Sequence, residues 1–265
     1  MTMLDGKVVL ISGTAGGQGR AAALGFAAAG AKVFGCDVNA DGAAETVALV
    51  GRKGGAMRSL QPLDVSDLDN AKRWANAAAD AFGGIDVLYN NAGSLRTKGP
   101  FASSTIEEWD LTIRYELTIV YTATLAVWPH LVARGGGLVI STASMSGHRE
   151  FLPLRTAAHG ATKAGVMGFT RMLAAEGAPH KIRAVSISPG LIRSPATERF
   201  WSGDDAQRAI GAGLVGQIPL GRYGMPEDIA NVAVFLASPE ASFINGADIL
   251  VDGGATGVSY SPLRE

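Results

Sequence analysis

A chain of 265 residues with 47% hydrophobic side chains can bury a full core, and residues 1–265 are read as one domain. With 18% charged residues, a formal net charge of −1 and no basic run, it lacks the electrostatic footprint of a nucleic-acid or anionic-membrane binder, which leaves a small molecule as partner. Cys36, the only cysteine, excludes an intramolecular disulfide and a thiolate zinc site, and no histidine spacing suggests a metal. The compartment reads as reducing, and "MTMLDGKVVLISG" carries no signal-peptide pattern, so a cytoplasmic protein is expected.

Along the chain, short β-branched runs alternate with alanine-rich stretches of helical length, the pattern of βαβ units around a parallel sheet. The predicted strands are Val8–Ser12, Lys32–Asp37, Met57–Leu63, Ile85–Tyr89, Leu138–Ser141, Ala184–Ile187 and Asp248–Val251, and they imply an α/β, Rossmann-like, doubly wound sheet of seven strands flanked by helices. Between the first two strands, Gly13, Gly17 and Gly19 allow a tight turn and close approach of a pyrophosphate to a helix N-terminus. Asp37, ending the second strand, stands where an acid accepts hydrogen bonds from the adenosine ribose. The same acid repels a 2′-phosphate, and "CDVNADG" adds no adjacent Arg or Lys, so NAD is expected over NADP; Arg20 is the one cation close to the loop.

Further on, Thr105 and Glu108 form a capping-box pattern opening a long helix toward Ala133. Its uncharged run, Leu117 to Ala133, contains Thr118, Thr122, Thr124 and Pro129 and reads as a buried helix rather than a membrane span. "RGGGL" at 134–138 is a tight helix-to-strand turn, and Pro226 opens a helix over Glu227–Leu236. Residues 194–221 lack periodicity and read as a lid over the substrate. Phe200, Trp201 and Leu214 within it, with Phe151 and Leu152, point to a largely apolar substrate.

These motifs, in order and over essentially the whole chain, resemble the short-chain dehydrogenase/reductase family. The glycine spacing matches, "LDV" at 63–65 looks like the adenine-contacting turn and "NNAG" at 90–93 like the fourth-strand motif. "SPG" at 188–190 resembles the segment beside the nicotinamide, and "GMPEDIANVAVFLAS" and "INGADILVDGG" the last helix and strand. The resemblance implies a nicotinamide cofactor held by Gly13, Gly17, Gln18, Gly19, Asp37, Asp64, Val65, Asn91, Ala92, Gly93, Lys163, Pro189, Gly190, Ile192 and Ser194, and a homotetramer assembled through the long helix, the helix bearing Lys163 and the C-terminal strand.

It also implies catalysis by a serine, a tyrosine, a lysine and a helix asparagine. Ser144 matches the serine, with Ser146 as runner-up, and Lys163 matches the lysine. The tyrosine position holds His159 and the asparagine position holds Glu116. His159 and Lys163, at i and i+4, share a helix face. Imidazole titrates near neutrality and can move a proton; a carboxylate at Glu116 approaching Lys163 would moderate the lysine's field and help His159 hold one. His148 and Arg149, in the loop after Ser144, are candidates for a substrate contact or simply a solvated loop. The expectation is an NAD-dependent oxidoreductase interconverting a secondary alcohol and a ketone. Non-redox chemistry at His159 with bound NAD, a silent NAD-binding scaffold and a variant inactivated at this position stay open beside it.

Overall fold

The computed structural model describes residues 3–96, 99–150, 157–195 and 197–259. Strands β1 (Val8–Ser12), β2 (Lys32–Cys36), β3 (Ala56–Leu60), β4 (Val87–Asn90), β5 (Gly137–Thr142), β6 (Ile182–Pro189) and β7 (Asp248–Val251) form one parallel sheet in the order β3-β2-β1-β4-β5-β6-β7. Strand order reverses between β1 and β4, and in such a sheet a crevice opens beyond the carboxyl ends of that pair.

Successive strand residues feed opposite cores because side chains alternate across the pleat. Val8, Leu10, Phe34, Leu88 and Val139 pack against α3 (Leu68–Phe82), α5 (Ile119–Arg134) and α6 (Ala157–Gly177) through Trp74, Val127 and Val166. Val9, Ile11, Val33, Tyr89 and Ile140 pack on the other face against α1 (Gly17–Ala28) and α9 (Pro226–Ala237) through Phe26, Ile229 and Leu236. Burial on both faces is why the strands read as apolar runs. Trp74, fully buried, donates its Nε1–H to Gly35 O at 3.1 Å and so keeps its one polar atom satisfied.

All seven expected strands are present, β1 and β7 with the expected bounds and the other five with shifted ends. β2 stops at Cys36, because the Asp37 carboxylate turns to accept backbone amides, and β3 stops at Leu60, after which Leu63 donates its N–H to Asp37 O at 2.8 Å. Gly135 and Gly136 carry the α5–β5 turn at φ +83° and +139°.

The long helix departs more instructively from its expectation. Its capping box forms, with Glu108 N–H donating to Thr105 Oγ1 at 3.2 Å, but the helix is not continuous. α4 (Ile106–Ile113) and α5 are joined by a π-helical segment, Arg114–Thr118. A π turn inserts a residue and rotates the side chains beyond it, and such turns recur at functional sites. Here the Tyr115 carbonyl accepts from Ser94 N–H at 3.2 Å, tying the turn to the chain leaving β4. Nor is α5 buried all round: Tyr121, Leu125 and Val132 are exposed along one side. Residues 194–221 are also more regular than expected, containing α7 (Arg199–Ser202) and α8 (Asp205–Val215), the latter opened by an Asp204–Gln207 capping box.

Candidate active site

Beyond β1 and β4 lies a cleft of about 690 Å³, lined among others by Gly13, Gly17–Gly19, Asp37, Asp64, Val65, Asn91–Gly93, Thr142 and Ser194. Gly13 has φ +77°, and a Cβ on Gly19 would collide with Gly13 O, so the glycine loop is required first by the chain's own turn. Asn91 fastens it, its Nδ2 donating to Ser12 O at 3.0 Å and Gly13 O at 3.1 Å.

The residues of this cleft fit a dinucleotide. α1 begins in it with no side-chain cap and no acid in its first turn, leaving amide donors and a positive dipole end for a pyrophosphate. Gln18 Oε1 is buried there without a hydrogen-bond partner. Asp37 is fixed by Ala15 N–H and Asn39 N–H, each at 2.8 Å, so its carboxylate is oriented beside the cleft. Arg20 is committed elsewhere: its guanidinium bonds to Ala15 O at 2.7 Å, Glu45 Oε2 at 2.5 Å and Thr46 Oγ1 at 3.0 Å. Of the residues expected at the nicotinamide end, Ser194 lines the cleft. Pro189, Gly190 and Ile192 do not; Ile192 and Gly190 pack inward, the latter against Asp252, and Ile192 O accepts from Thr197 Oγ1 at 2.7 Å.

Next to Thr142, the structure brings Ser144, His159 and Glu116 together. His159 Nδ1 lies 2.8 Å and 2.9 Å from the two carboxylate oxygens of Glu116, and its Nε2 lies 3.2 Å from Ser144 Oγ. Three elements converge to do this: Ser144 leaves β5, His159 sits in the first turn of α6, and Glu116 projects from the π segment. The Glu116 side chain is 3% exposed and that of His159 20%, so the carboxylate lies behind the imidazole and the imidazole at the crevice wall.

The direction of each hydrogen bond follows from the charge on Glu116. Burial works to raise its pKa, but the hydrogen bond from His159, the Lys163 ammonium and the Thr162 hydroxyl together bring it below the ordinary glutamate value. An ionised carboxylate only accepts, so His159 Nδ1–H donates to it, and in the neutral ring Nε2 is left as an acceptor. Ser144 O–H therefore donates to Nε2, while Ser144 Oγ accepts from Ser146 N–H at 3.1 Å. Ser146 thus supports Ser144 through its main chain.

To the expected field of Glu116 at Lys163 the structure adds direct contact of Glu116 with His159. Lys163 Nζ donates to Thr142 O at 2.8 Å; burial lowers its pKa, against the raising field of Glu116. Thr162, which the sequence did not single out, is fully buried and donates to Glu116 Oε2 at 2.6 Å. Its hydroxyl also lies 2.9 Å from His159 O.

Other candidates are engaged elsewhere. His148 Nε2 lies 2.7 Å from Asp248 Oδ2 and Arg149 Nη1 donates to Ala255 O at 2.9 Å, so these two exposed side chains are tied to β7 and the segment after it. Phe200 and Leu214 do not face a substrate: both are buried in the lid's own core with Met145, Leu191, Ile218 and Ala255, which removes their support for an apolar ligand. Trp201 packs edge-on against Tyr223, and Phe151 and Leu152 lie outside the described residues. Among the described residues there is no cluster suited to a metal ion, and no helix is long and apolar enough to cross a membrane.

Comparison with known proteins agrees with this architecture. The family model described as enoyl-(acyl carrier protein) reductase matches residues 13–256. The chain is 37% identical over 253 residues to D-threitol dehydrogenase of Mycolicibacterium smegmatis, covering 96% of this chain and 94% of the relative. It is 35% identical over 252 residues to 2-dehydro-3-deoxy-D-gluconate 5-dehydrogenase of Escherichia coli, covering 95% and 96%. The crystal structure of levodione reductase superposes with a TM-score of 0.91 at 32% identity, over 97% of this chain and all of the other. A short-chain type dehydrogenase/reductase from Mycobacterium marinum gives 0.89 at 33%, over 96% and 97%. The parallel seven-stranded fold thus agrees with these likenesses, and the chain belongs to the short-chain dehydrogenase/reductase family of oxidoreductases.

Proposed function

We propose that this enzyme is an NAD-dependent oxidoreductase interconverting a secondary alcohol and a ketone on a small molecule, with His159 moving the proton. The observation that carries this reading is the chain Glu116–His159–Ser144, which ends on the crevice wall beside Thr142, a residue of the cofactor cleft.

Bound NAD would supply the hydride acceptor or donor. Ser144 holds the substrate oxygen, and a proton leaving the alcohol passes to His159 Nε2 directly or through the serine hydroxyl. The imidazolium so formed is stabilised by Glu116, which already accepts its Nδ1–H. In the reverse direction the same imidazolium returns the proton. Lys163, fixed by Thr142 O, would hold the cofactor ribose and set the local field.

NAD is favoured over NADP because Asp37 borders the cleft and Arg20 is bound to Glu45. Assembly as a homotetramer is supported by the exposed apolar side of α5 and by Met172 on α6. With Phe200 and Leu214 buried, two of the side chains that pointed to an apolar substrate no longer support it. The relatives' names put polyols and cyclic secondary alcohols first in a test panel. Such a panel with NAD is expected to yield the absorbance of reduced nicotinamide, and His159→Phe to lower the rate at least about 100-fold. A His159→Phe protein as active as the parent would move proton transfer to another group.

A further inference from the structure

Serine, histidine and carboxylate stand here in the order, and with the hydrogen-bond directions, that acyl transfer requires: a hydroxyl donating to Nε2, and Nδ1–H donating to an ionised acid. A proton shuttle for alcohol oxidation needs the base but does not need a serine donating to it. We propose that Ser144 is also a nucleophile and that the protein hydrolyses small carboxylic esters without a nicotinamide cofactor.

Both reacting groups are accessible, Ser144 being half-buried and His159 20% exposed. Glu116 is closed off behind the ring and locked by Thr162 at 2.6 Å, which fixes tautomer and orientation. The backbone N–H of Met145, the residue after Ser144, has no hydrogen-bond partner among the described residues. An acyl-transfer site takes an oxyanion donor from that position. Lys163, held at Thr142 O two residues before Ser144, adds a positive field on the same wall.

The steps balance with water as the only co-reactant. Ser144 Oγ bonds to the ester carbonyl carbon as its proton passes to His159 Nε2. The bond from that carbon to the alcohol oxygen then breaks, and His159 protonates the leaving alkoxide. Water attacks the acyl-serine and gives a proton to His159; Ser144 Oγ leaves and takes that proton back. An acid and an alcohol are released, and no electron is transferred.

The test uses the whole protein without nicotinamide, with p-nitrophenyl acetate as substrate and a fluorophosphonate as covalent probe. The expected result is turnover with a burst of p-nitrophenol and one phosphonylated residue, mapped to Ser144 by peptide mass. Ser144→Ala should lose the label and lower turnover at least about 1,000-fold, and Glu116→Gln should lower it about 100-fold or more. Mapping is done on the parent protein, so the assignment does not depend on a variant folding. No label, a label on another residue, or unchanged hydrolysis in a folded Ser144→Ala protein overturns the proposal. Because the assay contains no NAD, its failure leaves the oxidoreductase reading intact, and absence of hydride transfer leaves this one intact.

Discussion

His159 Nδ1 contacts both carboxylate oxygens of Glu116, at 2.8 and 2.9 Å, so the imidazole proposed to move the proton and a buried carboxylate are in direct contact with each other. A tyrosine beside that carboxylate would have its phenol hydroxyl held as a donor, and phenolate formation would be opposed by a buried like charge. His159→Tyr alone should therefore restore little activity. His159→Tyr with Glu116→Asn should recover at least about 10-fold more than the product of the single effects, since groups sharing one hydrogen-bond chain are not additive. A double-mutant cycle in kcat/KM measures the coupling; strictly independent effects would mean that the pair does not act as a unit.

Thr162 is the residue whose contribution the structure adds. Its hydroxyl donates to Glu116 and lies beside His159 O, and valine would keep its shape while removing the donor. Thr162→Val should cost roughly 1–3 kcal/mol in urea unfolding, the range for leaving a buried polar partner unsatisfied. It should lower kcat about 10-fold with little change in KM, and Thr162→Ser should restore most of the loss. A Thr162→Val enzyme with parental kcat would mean that Glu116 needs no second anchor.

The depressed pKa of Glu116 has a consequence for acid stability. A carboxyl with a folded pKa below its unfolded value, about 4.3 for Glu, stabilises the fold fully above the unfolded value. That contribution is lost as pH falls through the folded pKa, when Glu116 is protonated in both states. Below about pH 4.3, stability of the parent minus that of Glu116→Gln should thus shrink on acidification. Asp86 behaves alike. Burial opposes its ionisation, but Arg134, Val8 N–H and Lys7 outweigh that, so its share is lost in the same direction but persists in Glu116→Gln. Urea unfolding of both proteins below about pH 4.3 checks the sign; a difference that grows as pH falls within that window would refute it.

The sheet was legible because strands covered on both faces appear as short apolar runs, and the cofactor cleft because its glycines are demanded by the backbone as well as by a ligand. The π segment was not legible. "RYELT" carries no local signal for an inserted residue, and the insertion is stabilised by distant groups such as Ser94. Without it, Glu116 was assigned to Lys163 and its contact with His159 was missed. Thr162 escaped for a related reason, since a threonine three residues after His159 gains meaning only when another element delivers a carboxylate to it. The lid helix α8, in contrast, had a readable signal in the Asp204–Gln207 capping box.

Exposed Tyr121 and Leu125, one turn apart on α5, form the centre of the proposed subunit contact. Leu125→Glu puts a charge there without touching the sheet. Sedimentation should show the parent as a tetramer and this variant as a smaller species with unchanged circular dichroism. A parent that sediments as a monomer at all concentrations overturns the assembly.

The choice between NAD and NADP rests on two side chains whose partners are now defined. Asp37 is immobilised by Ala15 and Asn39 amides, so it cannot swing away from an incoming 2′-phosphate; Arg20, the cation that follows the glycine loop, is occupied by Glu45 and main-chain carbonyls. Two unit charges about 4 Å apart near a protein surface repel by about 4 kcal/mol at an effective dielectric constant of 20, and screening by salt reduces this. Retaining half of it corresponds to a preference for NAD of about 30-fold. Asp37→Asn removes the charge while keeping one oxygen to accept an amide, so the loop is preserved and the preference should fall several-fold. Adding Glu45→Ala releases Arg20 from its carboxylate partner and should strengthen NADP binding further while leaving NAD binding nearly unchanged. Calorimetric titration of the three proteins with both cofactors gives the comparison. Equal affinity of the parent for NAD and NADP would show that the phosphate avoids Asp37, and a double variant no better than Asp37→Asn would show that Arg20 stays bound to the Ala15 and Gly42 carbonyls.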